Sequence, residues 1–107
     1  MGYGGYGGGN MQQLMKQAQA MQRKLQEAQQ EIAETELTGS AAGGMVEFVM
    51  TGDKTPVSIS IKPEAVDPDD VEMLEDMILA AINDANAQAD KLQKDLMGPL
   101  GGGMGLF

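Results

Sequence analysis

At 107 residues the chain is one domain with a modest core, and it contains neither cysteine nor histidine. Those absences exclude disulfides, thiolate nucleophiles, imidazole bases and the usual zinc sites. The net charge is −9, with 10 methionines and only 4% aromatic residues, a balance that suits a helical interface better than an aromatic-lined pocket.

The charge is unevenly divided. Lys16, Arg23 and Lys24 are the only charges in residues 1–26, and Glu27, Glu31, Glu34 and Glu36 follow. Residues 37–62 balance Glu47 and Asp53 against Lys54 and Lys62, whereas residues 63–90 carry nine acids and no base. Lys91 and Lys94 then meet Asp95. The chain is acidic in its middle and mildly basic at both flanks. No apolar run is long enough to span a bilayer, and the N-terminus lacks the charged and apolar regions of a signal peptide. The expectation is a soluble cytoplasmic protein.

Residues 1–9 read as a flexible glycine-rich tail, because glycine loses the most entropy on ordering. Tyr3 and Tyr6 could stack on bases, but no arginine accompanies them. From Asn10 the pattern changes. Met11, Ala18, Leu25 and Ile32 recur every seven residues, as do Leu14, Met21 and Ala28, which is a coiled-coil seam over about three heptads. A helix over residues 10–36 is roughly 40 Å long, well beyond the about 13 Å radius of gyration of a compact domain of this size. It must project, and its seam needs another helix, in a second copy or in an intramolecular hairpin.

After Thr38-Gly39 the period falls to two. Residues 37–42 form a weak first strand. Residues 45–51 alternate with Val46, Phe48 and Met50 on one face, and Val57, Ile59 and Ile61 alternate in a third strand. The segment between them, 52–56, reads as a hairpin loop. Asp67 is placed to N-cap a helix with Pro68 at its first position, running from 68 to about 97. Val71, Leu74, Ile78, Ala81, Ala85, Leu92 and Leu96 should face inward. The run 77–82, MILAAI, is apolar all round, so one small sheet cannot cover it. Residues 98–107 read as a second flexible glycine-rich tail.

Three chemical motifs fail on spacing. Gly52-Asp53-Lys54-Thr55 resembles the end of a phosphate loop, but its first glycine falls on Glu47. Asp67, Asp69 and Asp70 lack the rest of an EF-hand and read as caps. Glu72, Glu75 and Asp76 have no accompanying pocket or cofactor motif and read as a solvated face. No enzyme, metal, cofactor or small-molecule substrate is expected.

The segments LMKQAQAMQRKLQEAQQEIAETELTGSAAGGMVEFVMTG and VSISIKPEAVDPDDVEMLEDMILAAINDA resemble the YbaB/EbfC nucleoid-associated proteins over nearly the whole chain. The resemblance implies an α+β fold, an α-β-β-β-α protomer with long terminal helices and a three-stranded antiparallel sheet, in a tweezers-like homodimer. It implies a bacterial DNA-binding domain over residues 10–97 that resides on the nucleoid and affects its organisation or gene expression. Double-stranded DNA and a second copy are the expected partners, and no membrane. If the two long helices pack antiparallel, Lys16, Arg23, Lys24, Lys91 and Lys94 gather at the tips and bind DNA through backbone and shape. Met11, Leu14, Ala18, Met21, Leu25, Ile78 and Ile82 are the expected dimer interface. The overall acidity favours an alternative, a protein-interaction or assembly module whose DNA binding is weak or incidental.

Overall fold

The computed structural model describes residues 2–101 of the chain. Helix α1 spans Gly2–Glu34, strands β1, β2 and β3 span Glu36–Ala41, Val46–Thr51 and Pro56–Ile61, and helix α2 spans Val71–Gly101. The strands form one antiparallel sheet in the order β1-β2-β3, so the expected α-β-β-β-α protomer is the one observed. Its radius of gyration is 22.1 Å and its extents are 85 × 23 × 16 Å, which makes it a rod.

The element ends differ from expectation in three places. Helix α1 starts at Gly2 rather than at Asn10, although each glycine costs a helix about 1 kcal/mol relative to alanine. Helix α2 continues through Gly98-Pro99 to Gly101, so part of the expected 98–107 tail is helical and residues 102–107 lie outside the described residues. Helix α2 also begins at Val71, three residues later than Pro68. The Asp67 carboxylate is committed elsewhere: it accepts the Asp69 N–H at 2.9 Å, while its carbonyl accepts the Asp70 N–H at 2.9 Å. That closes a turn with Pro68 at its second position. Asp70 is the N-cap, accepting the Met73 N–H at 3.2 Å.

Helix α2 lies across β1 and β2, and small residues let it come close. Ala81, Ala85 and Ala89 are fully buried at a spacing of four, one row along a single helix face. Opposite them sits Gly39, where a Cβ would overlap the Ala81 carbonyl oxygen and the Ala85 amide and lie 2.8 Å from the Ala85 methyl. Val46 and Ala65 join Ala81 in one core cluster, and Met50 joins Ala85 and Ala89 in a second. Of the residues expected to face inward on α2, Ala81 and Ala85 are buried and Leu74, Ile78, Leu92 and Leu96 are half-buried, but Val71 is 56% exposed. Val71 lies in the first turn, where the helix overhangs the end of the sheet.

The turns are set by backbone sign. Gly43 and Gly44 have φ of 66° and 93° between β1 and β2, a region where a Cβ is strained. Helix α1 is fastened to the sheet by Gly52, whose N–H reaches both the Ile32 and Thr35 carbonyls at 2.9 Å. A Cβ at Gly52 would lie 2.5 Å from the Ile32 oxygen.

The close approach at Gly39 can be tested against a glycine with room around it. Gly39→Ala should lower stability by about 2–3 kcal/mol, since it forces β1 off α2. Gly98→Ala, whose nearest neighbour would be 4.0 Å away, should be neutral or raise stability by up to about 1 kcal/mol. Urea midpoints at constant slope measure both.

Candidate nucleic-acid interface

Among the described residues, helix α1 meets the rest of the protein only through its last turns. Ala28 and Ile32 are buried and Leu25 is half-buried, whereas every residue from 10 to 24 is exposed. The reason is directional. Helix α2 runs from the β1–β2 connection, where Ala81 meets Gly39 and Val46, toward Gly52, whose carbonyl accepts the Gln93 amide at 2.7 Å. Beyond Gln93 it meets the end of α1, and Gln29, Ile32, Ala33, Gln93 and Met97 line one cleft there. From that crossing α1 continues outward alone.

The exposed length carries Lys16, Arg23 and Lys24 with no acid before Glu27. Lys16 and Arg23 are seven residues apart, hence on one face and roughly 10 Å apart along the axis. The apolar stripe of Met11 (61% exposed), Leu14 (62%), Ala18 and Met21 (43%) runs along the opposite face. Within the described residues the seam expected to be covered by a helix is covered only from Leu25 onward.

The five expected DNA-binding residues are not gathered at one tip. Lys91 and Lys94 flank Gln93 at the crossing, level with the end of α1, so Lys16 is on the order of 20 Å further out along the helix. Helix α2 is too short to return beside it, because its first half is spent on the sheet. Lys54 and Lys62 sit at opposite ends of the sheet. Lys54 pairs with Asp90 at 2.7 Å near the crossing, while the Lys62 N–H bonds to the Met45 carbonyl at 2.9 Å at the far end. Seven carboxylates, Glu64, Asp67, Asp69, Asp70, Glu72, Glu75 and Asp76, occupy that far end. Charge is thus separated along the long axis, basic on the projecting arm and acidic at the other pole. Charges so far apart are screened from each other, since the Debye length is about 8 Å at physiological salt.

The crossing holds an open cleft of about 340 Å³ whose lining adds Asp53 to the residues above. Asp53 is a turn-former. It accepts hydrogen bonds from the Thr51 hydroxyl and the Thr55 N–H, and those bonds, the Thr51 hydroxyl first, hold its carboxyl below the ordinary 3.8. Among the described residues no group of three or more His, Cys, Asp or Glu is placed to hold a metal ion, and no helix is long and apolar enough to cross a membrane.

Residues 7–104 match the YbaB/EbfC DNA-binding family. The chain belongs to that family. Relatives of this YbaB/EbfC protein agree in name. A nucleoid-associated protein of Saccharopolyspora erythraea is 54% identical over 101 residues, covering 91% of this chain and 87% of the relative. One from Chloroflexus aurantiacus is 52% identical over 99 residues, covering 92% and 99%. An uncharacterized protein of Helicobacter pylori shares the fold at a TM-score of 0.70 and 21% identity, covering 83% of this chain and 94% of that one. The YbaB/EbfC family is a DNA-binding family and not an enzyme family.

The lowered carboxyl of Asp53 has a signed consequence. A depressed pKa contributes stability above the ordinary carboxylate range, lost as pH falls through the folded-state value. Wild type should therefore lose more stability than Asp53→Asn on acidification from about pH 5 to below pH 3. Parallel melting curves at the two pH values measure the difference, and equal losses would refute the role assigned to the turn.

Proposed function

We propose that this YbaB/EbfC protein is a nucleoid-associated protein that binds double-stranded DNA as a homodimer, chiefly through phosphate and shape contacts made by the projecting part of α1. The observation that carries the reading is the acid-free stretch 10–26, with Lys16, Arg23 and Lys24 exposed and clear of the acidic pole. An arm of this kind engages phosphates although the whole chain is acidic, because affinity follows local counterion release rather than net charge. Exposed Gln12, Gln13 and Gln19 add hydrogen-bond donors for phosphate and sugar. Lys91 and Lys94, set back at the crossing, supply a second and weaker contact. The name that the relatives carry, nucleoid-associated protein, points the same way, to a nucleoid location. Contacts to phosphate and sugar carry no sequence information, so binding should be largely independent of sequence.

Homodimerisation is supported by the apolar surface the protomer leaves open: Met11, Leu14 and Met21 on α1 and the half-buried Ile78 and Ile82 on α2. Two arms on one dimer would grip a duplex at two places, and the second contact adds affinity through effective concentration.

Replacing Lys16, Arg23 and Lys24 together by Gln tests the arm. Three residues per chain are six per dimer, so the slope of log affinity against log salt should fall by up to about five. Dimer mass and helicity should not change, since glutamine is a good helix former and the sites are exposed. Lys91→Gln with Lys94→Gln should reduce binding less. Titration with duplex DNA at several salt concentrations reads both. Full binding by the triple variant would defeat the proposal, and no binding by wild type at low salt would favour an assembly module.

A further inference from the structure

The open cleft of about 340 Å³ at the crossing of α1 and α2 is apolar where it is free to bind. Ile32 lies at its base, only 5% exposed, with Ala33 next to it on α1 and Met97 contributed by α2. The polar groups of the lining are largely engaged. The Gln93 amide donates to the Gly52 carbonyl at 2.7 Å. The Asp53 carboxylate accepts from the Thr51 hydroxyl and the Thr55 N–H. A charged ligand would lose its water there without gaining partners. An apolar one would not.

The next stretch of the chain has that chemistry. Met97 stands four residues before Gly101, so the end of α2 lies about 6 Å further along the helix axis. Residues 102–107 read GGMGLF, with no charge and with two large apolar residues side by side, Leu106 and Phe107. Six residues reach up to about 20 Å. The way back to Met97 is well within that reach.

We propose that Leu106 and Phe107 fold back into this cleft of their own chain and strap the base of α1 to the end of α2. The chain reverses at Gly101–Gly103, because glycine leaves a helix through φ > 0 without strain. Tethering selects this occupant over a separate peptide, since a short tether holds the two side chains at an effective concentration in the millimolar range. The strap acts on the arm. Ile32 and Ala33 belong to the last turns of α1, through which the exposed residues 10–24 are held. A further contact at those turns fixes the direction in which the arm projects. The proposal depends on neither the homodimer nor the DNA reading.

The chain has no tryptophan, so Phe107→Trp gives a single fluorescent reporter. Its emission should lie to the blue of a solvated indole, and acrylamide should quench it several-fold less than free N-acetyltryptophanamide. Adding Ala33→Lys fills and charges the cleft. Ala33 is exposed and lysine is a good helix former, so helicity should be retained. The emission should then shift to that of a solvated indole and quenching should rise several-fold. Neither reading should change on dilution, because the contact lies within one chain. A solvated emission in Phe107→Trp would overturn the strap, as would protection that survives Ala33→Lys. Protection lost on dilution would also overturn it, by placing the segment on another molecule. The native side chains give a second reading: Leu106→Ser with Phe107→Ser should speed amide exchange of residues 29–35 several-fold. Unchanged exchange there would likewise contradict the proposal.

Discussion

The close approach of Gly39 to the Ala81–Ala85 turn of α2 is the constraint on which the rest of the molecule depends. Two backbones touch there because one side lacks a side chain and the other has only methyl groups. The contact fixes where a 31-residue helix crosses a sheet of only three strands. With α2 held over β1 and β2, its C-terminal half is delivered to Gly52, where Gln93 and the end of α1 converge. The same placement leaves β3 bare, with Val57 and Ile59 each 48% exposed. The arm and the uncovered strand are both consequences of one packing contact at the other side of the sheet.

Charge follows this architecture. Nine of the sixteen acidic residues fall in residues 63–90, the segment that makes the far pole and the exposed faces of α2, and the cations of the first helix fall beyond the reach of the core. Net charge is therefore a poor guide to what the protein can bind, while position along the 85 Å axis is a good one. The separation costs little, because most of these groups are exposed and screened.

Much of this was legible in the residues themselves. Heptad spacing from Met11 to Ile32 and the alternation of Val46, Phe48 and Met50 define α1 and β2 without any coordinates. The all-round apolar run 77–82 signals a helix that one sheet cannot cover. The start of α2 was missed because Asp67 and Asp70 are equally good caps by type, and only the turn through Pro68 decides between them. The bare face of β3 was missed for a different reason. Alternation tells which side of a strand is apolar, not whether a helix lies over it. The small-residue signal was present in Gly39 and in Ala81, Ala85 and Ala89, four apart, and it would have placed α2 over β1. The spread of Lys91 and Lys94 away from Lys16 follows from how much of α2 is spent on the sheet, a length that no local pattern encodes.

The central claim is that DNA meets the projecting basic arm and avoids the acidic pole. Backbone amide shifts followed by NMR during titration with a short duplex test it most directly. The account predicts shifts and broadening concentrated in residues 10–26, smaller changes near Lys91 and Lys94, and none in residues 64–76. Changes centred on the sheet or on the acidic pole, with the arm unperturbed, would contradict it.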